Sequence, residues 1–168
     1  MAVIIKNYSN VLKQRFLNEK NRIETFLPDS VIIEHVGSSA VGIGGKNIVD
    51  ILIGVSDVME MEKTRDILTG NGYREGHDSH DDRIFLASRE GETGEGDIHI
   101  HICPVSEDSY KDMIILRDYL ILHPNTAKEY FEKKYEFAEK AGFDRKKYKA
   151  LKSEYVSMLI SDAKKVIK

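Results

Sequence analysis

Cysteine is nearly absent from the sequence, with one residue, Cys103, among 168. A single cysteine excludes an internal disulfide framework and a cysteine-rich structural zinc site, and it fits a reducing compartment. No apolar run approaches the roughly 20 residues that span a bilayer, and the apolar part of the N-terminal segment is too short for a signal peptide. The sequence therefore predicts a cytoplasmic protein that makes no use of a membrane.

The sequence also lacks a basic surplus, since 25 basic and 28 acidic residues give a net charge of −3. This balance does not support nucleic acid as a partner. The charge is uneven, however, because residues 144–168 carry eight basic and three acidic side chains, a local net of +5. This segment has two interpretations, a solvated helix face or a basic wall beside a phosphate site.

Three familiar motifs are missing, although residues 34–55, EHVGSSAVGIGGKNIVDILIGV, contain a glycine-rich loop. A P-loop needs Ser or Thr directly after Gly-Lys to bind magnesium, whereas Asn47 follows Gly45 and Lys46. A dinucleotide-binding fingerprint needs a third glycine at the position of Asn47. An HExxH zinc motif is absent as well. The chain is therefore not a P-loop kinase, and neither a dinucleotide-binding motif nor a zincin is supported.

Hydrophobic periodicity predicts a helix near the start of the chain, followed by strands. The helix begins after Ser9 and ends at Pro28. Runs of β-branched and alternating residues predict strands at 31–36, 48–55, near 73, 83–87 and 98–103. The stretch SREGETGEGD, residues 88–97, predicts a flexible turn.

Helix signals occupy the sequence between and after these strands. Asp57 and Glu60 form a capping-box pattern that begins a crossover helix. Past residue 106 the pattern is helical, with Pro124 in the first turn of a second helix and Asp144 as the cap of a third. The predicted fold class is α+β, with a mixed β-sheet of about five strands, flanking helices and a C-terminal helical segment.

Polar side chains interrupt two of the apolar strands. Alternation places His99 and His101 on one face of their strand, and Asp50 shares a face with Leu52 on another strand. A carboxylate inside an apolar strand is costly unless it is hydrogen-bonded, paired or bound to a metal. One Asp and two His are ligand types for zinc, iron or manganese. The alternative is a hydrogen-bonded polar patch within the sheet.

The glycine loop provides a second candidate site. Backbone amides and the hydroxyl of a Gly-Ser pair can hold a phosphate, and a carboxylate about a dozen residues later can hold the phosphate's metal. Gly37, Ser38 and Asp50 have this spacing. Glu34 and His35 precede the loop on opposite faces of their strand, so one of them at most faces the site. A Ser38–His35–Asp50 triad is conceivable, but no nucleophile-elbow pattern supports it.

The Gly-Ser pair followed by Asp50 resembles the nucleotidyltransferase superfamily of the DNA polymerase β type. Leu52 stands where that superfamily has a second acid, and His99 and His101 lie on the strand of the third. The resemblance is closer to the GrpB family, whose pattern reads roughly E-H-[IV]-G-S-T-S-V-P-G-L-x-x-K-P-I-I-D-I. The matching residues are Glu34, His35, Gly37, Ser38, Ser39, Val41, Gly42, Lys46, Ile48, Val49, Asp50 and Ile51. It continues through Tyr73, Arg74, Arg83, His99, His101, the stretch LRDYLILHPNTAKEY, Tyr148 and Lys152.

This resemblance implies a single nucleotidyltransferase-fold domain over residues 1–168, with a core at about 1–104 and C-terminal helices at about 106–168. It implies a catalytic Asp50 and a divalent metal, which is manganese, zinc or magnesium, held by Asp50, His99 and His101. The implied phosphate-binding residues are Gly37, Ser38, Ser39, Lys46, Arg83 and Lys152, and the accessory residues are Glu34, His35 and Tyr148. Two prolines of the family pattern are missing, after Val41 and at Asn47.

Two functions are compatible with these residues. The first is an enzyme that binds a nucleotide or a phosphorylated small molecule and performs nucleotidyl or phosphoryl transfer. The second is a non-catalytic binding or assembly module that stabilises a partner enzyme, such as the dephospho-CoA kinase to which GrpB-like domains are also fused. The missing acid at Leu52 is the feature that separates them. Both require Asp50, His99 and His101 to converge on one cavity.

Overall fold

The computed structural model describes residues 2–89 and 96–167. Within these ranges the chain forms six α-helices and five β-strands. In chain order they are α1 (Val11–Glu24), β1 (Ile32–Val36), α2 (Gly37–Val41), β2 (Val49–Val55), α3 (Val58–Gly70), β3 (Arg74–Glu75), β4 (Ile84–Ala87), β5 (Ile98–Pro104), α4 (Asp108–Leu122), α5 (Pro124–Lys140) and α6 (Arg145–Val166).

The strands form one mixed sheet in the order β1-β2-β5-β4-β3. The central strands β2 and β5 run parallel, and the other neighbours are antiparallel. Parallel strands at the centre of a sheet are covered on both faces, which accounts for the nearly continuous apolar run of β2. The predicted α+β fold with a five-stranded mixed sheet is confirmed.

The two faces of the sheet are covered by different helices. On one face, alternate residues such as Ile51 and Ile100 pack in a cluster with Phe16 of α1 and Leu68 of α3. On the other face, Leu52 packs in a cluster with residues of α4. Because side chains alternate along a strand, Asp50, His99 and His101 belong to the face that α4 covers.

The C-terminal helices pack over the loop that follows β1. Tyr130 of α5 and Leu159 of α6 form a buried cluster with which Val41 and Ile43 of that loop are in contact. Helices α4 to α6 therefore form the wall that faces the site side of the sheet. Within the described ranges, none of the helices has both the length and the apolar composition needed to cross a lipid bilayer.

The helix caps follow the sequence closely. The Asp57 carboxylate accepts a hydrogen bond from the Glu60 amide at 2.8 Å, at the start of α3. The Asp144 carboxylate does the same for the Lys147 amide at 2.8 Å, at the start of α6. Pro124 is the first residue of α5, as predicted. These local signals therefore placed the helix starts correctly.

The sequence predicted a loop after β1, whereas the structure has a short helix there. Residues Gly37–Val41 form a five-residue helix, because Gly37 turns the chain at a φ of 74° directly after β1. Gly42, at a φ of 85°, ends it. The predicted turn at 88–97 falls largely on residues 90–95, which lie outside the described residues.

Candidate functional site

The structure brings Asp50, His99 and His101 together on one face of the sheet. Asp50 is the parallel register partner of His99. The Asp50 Oδ1 atom lies 3.4 Å from His101 Nε2 and 3.7 Å from His99 Nδ1. Phe85 of β4 packs against both imidazole rings, with centroid distances of 4.9 and 5.4 Å. The carboxylate is therefore paired with two histidines, and the strand positions predicted from alternation hold.

The charge of Asp50 is stabilised by these neighbours. Burial acts to raise the pKa of Asp50, but the hydrogen bond with His101 and the charges of His99, His101 and Lys152 lower this pKa well below its ordinary value. Asp50 is therefore ionised at neutral pH. It can act as a fixed negative charge or as a metal ligand, whereas a proton-transfer role would need a raised pKa.

The three side chains fit a divalent metal in the type of their donor atoms. One carboxylate and two imidazoles suit zinc or manganese, whereas magnesium prefers an all-oxygen set. In residues 2–89 and 96–167, however, no group of three or more His, Cys, Asp or Glu is arranged to hold a metal ion. The observed contacts are those of an Asp–His network, in which the buried His101 Nδ1 makes no hydrogen bond to the described residues. The metal stays a prediction.

Gly37 places the loop directly against Asp50. Its φ of 74° lies in the left-handed region, and a Cβ at this position would lie 2.6 Å from Asp50 Oδ2. Only glycine combines this backbone conformation with such a close approach. Ser38 consequently follows at the edge of the carboxylate, on the wall of the same cavity.

This cavity, which we call the large cavity, has a volume of about 350 Å³ and lies between the sheet and helices α2, α4 and α6. Small-molecule sites in proteins begin at about this size. Among the described residues, six basic and two acidic side chains line it. The basic ones are Lys46, Arg83, Arg117, Arg145, Lys149 and Lys152, and the acidic ones are Asp50 and Asp78.

The basic wall proposed for residues 144–168 is present in part. Arg145, Lys149 and Lys152 follow one another at the i, i+4 and i+7 positions of α6 and line the large cavity together. Lys149 also forms an ion pair with Asp78 of the loop opposite. The segment is therefore more than a solvated helix face, since these three side chains border a cavity.

Two arginines come to the large cavity from other elements. Arg117 of α4 forms ion pairs with Glu34 at 2.6 Å and with Asp118 at 2.8 Å. Arg83 donates from Nη2 to the Asp78 carbonyl at 3.3 Å, and its buried Nε makes no hydrogen bond within the described part of the chain. Arg117 is thus held in place by carboxylates, while Arg83 keeps donor capacity.

The family comparison matches a model described as GrpB protein to residues 2–162. The chain belongs to the GrpB family. The glutamate-rich protein GrpB of Alkalihalophilus pseudofirmus is 30% identical over 170 residues, which are 95% of this chain and 95% of that protein. A UPF0157 protein of Pseudomonas aeruginosa is 32% identical over 155 residues, and the match covers 89% of this chain but 63% of that protein.

Solved structures share the fold of this GrpB-family chain. The conserved protein GrpB from Enterococcus faecalis aligns with a TM-score of 0.82 at 22% identity, over 98% of this chain and 100% of that one. The Cid1 poly(U) polymerase with bound MgGTP aligns with a TM-score of 0.54 at 14% identity, over 79% of this chain and 44% of that one. The fold is therefore nucleotidyltransferase-like.

Glu34 and His35 of this GrpB-family chain take different positions. Glu34 lies on the site face of β1 and contacts Arg117. His35 points to the opposite face, where its ring stacks on Phe16 at 4.2 Å and its Nε2 lies 2.8 Å from Ser39 Oγ. The imagined Ser38–His35–Asp50 triad is therefore wrong, because His35 contacts the next serine along the chain. Burial lowers the pKa of His35 to about 4, although the Asp50 charge opposes this.

The other predicted residues line cavities. Gly37, Ser38, Lys46, Arg83, Tyr148 and Lys152 line the large cavity. Ser39 lies instead on a smaller neighbouring cavity, described below. Cys103 is fully buried, and burial raises the pKa of its thiol to about 12, so it is no nucleophile.

The residue missed by the sequence is Lys134 of α5, whose side chain is buried at 1% exposure. Its Nζ donates to Ser38 Oγ and to the Gly44 carbonyl at 2.9 Å, and it lies 4.5 Å from the centroid of the Tyr130 ring. Burial lowers the pKa of Lys134 well below its ordinary value, and the charge of Lys152 acts in the same direction.

A signal for Lys134 exists in the sequence. Tyr130, Lys134 and Phe137 are spaced i, i+4 and i+7, which places the lysine on the apolar stripe of an amphipathic helix. Lysines in such helices usually extend to solvent, so the spacing alone would have indicated a snorkelling side chain.

Proposed function

We propose that the large cavity binds a nucleotide or a phosphorylated small molecule, and that Asp50 organises a nucleotidyl or phosphoryl transfer there. The observation that carries the proposal is the charge of the cavity. Six basic side chains against two acidic ones, among the described residues, surround a floor made of Asp50, His99 and His101. A cavity with a surplus of one charge and low-dielectric walls attracts ligands of the opposite charge. Phosphorylated compounds of small-molecule size match both the charge and the volume.

The roles follow from the chemistry of each side chain. The Ser38 hydroxyl donates to a phosphate oxygen, and Lys46 and Lys152 supply point charges beside it. Arg83 presents a planar fork that suits two phosphate oxygens. Because Gly37 has no side chain, the backbone before Ser38 can approach Asp50 closely. Tyr148 of α6 lines the same cavity, where its ring would contact the ligand.

Asp50, with His99 and His101, has the donor types that would hold a divalent cation in the large cavity. A cation bound there would neutralise charge on the phosphoryl group. The donor types favour manganese or zinc over magnesium. Asp50 contributes its permanent negative charge, because its pKa is held well below its ordinary value.

The alternative function is a binding or assembly module that performs no transfer. One observation favours it, because Leu52 is fully buried against α4 and supplies no second carboxylate. In this alternative the cavity still binds a phosphorylated ligand, and the chain stabilises a partner enzyme, such as a dephospho-CoA kinase. Both functions include binding of a phosphorylated ligand, and only the enzyme converts that ligand into a product.

We also infer that residues 1–168 act as one domain. The floor of the large cavity comes from β2 and β5, whereas Arg117 and Lys152 come from the C-terminal helices. Removal of those helices would remove one wall of the site, so neither part forms it alone.

A nucleotide panel tests binding and transfer separately. We expect at least one nucleoside triphosphate to raise the thermal unfolding temperature and to bind in calorimetry, more strongly with manganese than with magnesium. Arg83→Gln should weaken binding by about tenfold or more, because it removes a charge-assisted contact. Asp50→Asn should weaken the metal-dependent part of binding, because it removes the charge that would hold the cation. The exposed Lys63→Gln is the control for loss of one charge.

Transfer is measured with an α-labelled triphosphate and a mixture of hydroxyl acceptors. Labelled product that is lost in Asp50→Asn supports the enzyme. Binding without product under any metal supports the assembly module. Absence of binding by every phosphorylated compound contradicts both.

A further inference from the structure

A second, smaller cavity lies beside the large one, on the other side of Ser38. Its volume is about 90 Å³, and its lining includes Ser38, Lys46, Asp50, Lys134 and Lys152. We propose that this small cavity is a subsite for a terminal phosphoryl group, with Lys134 as its buried cation. The ligand of the protein then carries at least two linked phosphoryl groups. This inference rests on the proposed function, because the first of those groups occupies the large cavity.

The surplus of positive charge around the small cavity favours binding of an anion. Of the described residues that line it, three are lysines and one is a carboxylate. Lys134 donates to two neutral oxygens, those of Ser38 and Gly44. Within residues 2–89 and 96–167, no carboxylate lies within 4.0 Å of its Nζ. The charge of Asp50 acts on Lys134 from beyond this distance and offsets only part of the cost of burying the ammonium. A bound phosphoryl group would offset more of that cost.

The size of the small cavity selects the kind of group. At about 90 Å³ it is far smaller than the roughly 300 Å³ at which sites for whole small molecules begin. Its lining includes the polar side chains of Ser38, Ser39, Asn47 and Lys134. A compact anionic group fits these conditions, whereas a nucleoside does not.

The two cavities adjoin each other and share part of their lining. Ser38, Lys46, Asp50 and Lys152 line both. A single ligand can therefore place one phosphoryl group beside Ser38 and Lys152 in the large cavity and the next one against Lys134. The nucleoside or other organic part then remains in the large cavity.

Lys134 also sets the direction of the Ser38 hydroxyl. An ammonium group can only donate, so it occupies a lone pair of Ser38 Oγ and leaves the hydroxyl proton for another acceptor. A phosphate oxygen that bridges the two cavities is that acceptor. Lys134 thereby acts both on the ligand directly and on the serine between the two groups.

The test compares inorganic pyrophosphate with inorganic phosphate by calorimetry on the full chain. Wild-type protein should bind pyrophosphate at least about tenfold more tightly than phosphate, since only pyrophosphate reaches both cavities. In Lys134→Met this preference should disappear. The matched control is Lys133→Met, the next residue of α5, which pairs with Glu136 and lines neither cavity. It should keep the wild-type preference.

A second variant tests the subsite independently, in case Lys134→Met does not fold. A Cβ at Gly45 would lie 3.4 Å from Lys134 Nζ and 3.5 Å from Ser38 Cβ, which are ordinary van der Waals contacts. Gly45 lines the small cavity and does not line the large one. Gly45→Ala should therefore fold and should lower the preference for pyrophosphate by severalfold. Equal weakening of both anions in Lys134→Met would assign Lys134 a structural role and overturn the subsite.

The outcomes separate the subsite from the proposed function. Wild-type binding of nucleotides together with an unchanged pyrophosphate preference in both variants overturns the subsite and leaves the proposed function intact. Failure of the wild type to bind any phosphorylated compound overturns both.

Discussion

The two faces of the β2–β5 strand pair have opposite chemistry, although alternate residues of the same strands build them. On the α1–α3 side, Ile51, Ile53, Ile100 and Ile102 are fully buried in one aliphatic cluster. On the other side, Asp50, His99 and His101 border a basic cavity. One face therefore supplies stability and the other presents charge. Substitutions on the two faces should accordingly change different properties.

The largest expected effect is on the aliphatic face. Ile100→Ala should lower the free energy of unfolding by about 2–5 kcal/mol, because it deletes buried methyl groups and leaves a cavity. Phosphate-ligand affinity of the folded fraction should stay unchanged. Urea unfolding measures the first quantity and calorimetry the second. The control, Ile32→Ala, removes the same atoms from a side chain that is 46% exposed, and it should cost far less. Equal costs for the two variants would contradict the division between faces.

Gly37→Ala should affect both properties, since Gly37 lies where the loop meets the charged face. The φ of 74° and the close approach to Asp50 Oδ2 both oppose a Cβ. We expect a loss of about 1–3 kcal/mol in the free energy of unfolding from backbone strain alone. Ligand affinity should also fall, because Asp50 must move.

Gly70→Ala is the matched control for Gly37→Ala. Among the described residues, the space around its Cβ position is open, and no positive φ is found there. The free energy of unfolding should stay constant or rise slightly. A similar loss in both variants would show that the conformation of Gly37 has no special role.

The smallest effect is a pH dependence from His35, on the side of β1 that faces away from the cavity. Its pKa is about 4 in the folded state, whereas its ordinary value is 6.5, so the unfolded state binds more protons between these values. The free energy of unfolding should therefore fall as the pH decreases from about 6.5 to about 4. His35→Gln should flatten this part of the profile.

Chemical denaturation at several pH values measures this dependence. The exposed His77→Gln is the control and should keep the wild-type slope. Identical slopes in wild type and His35→Gln would contradict the assignment to His35.

The sequence predicted features that depend on neighbouring residues. Caps at Asp57 and Asp144 and the alternation around His99 are local, and the structure confirms them. Contacts between distant segments were not predictable in the same way. Arg117 reaches Glu34 across 83 positions, and Lys134 reaches Ser38 across 96. No periodicity encodes such pairs, because they depend on how the C-terminal helices pack against the sheet.

The helix at Gly37–Val41 shows a further limit of local reasoning. A segment of glycine and serine has low helix propensity, so its sequence indicates a loop. Val41 packs against the cluster formed by the C-terminal helices. This packing stabilises the helical turn, which the helix propensity of its residues does not. Tertiary contacts therefore decide the conformation at the residues that matter most for the site.

The parallel pairing of β2 with β5 has a consequence for when the site can form. Asp50 and His101 are 51 positions apart in the chain, and the whole crossover must be in place before they meet. Such nonlocal contacts form late and slowly during folding. A ligand that depends on both side chains therefore recognises only the finished molecule, and its binding can report the completion of folding.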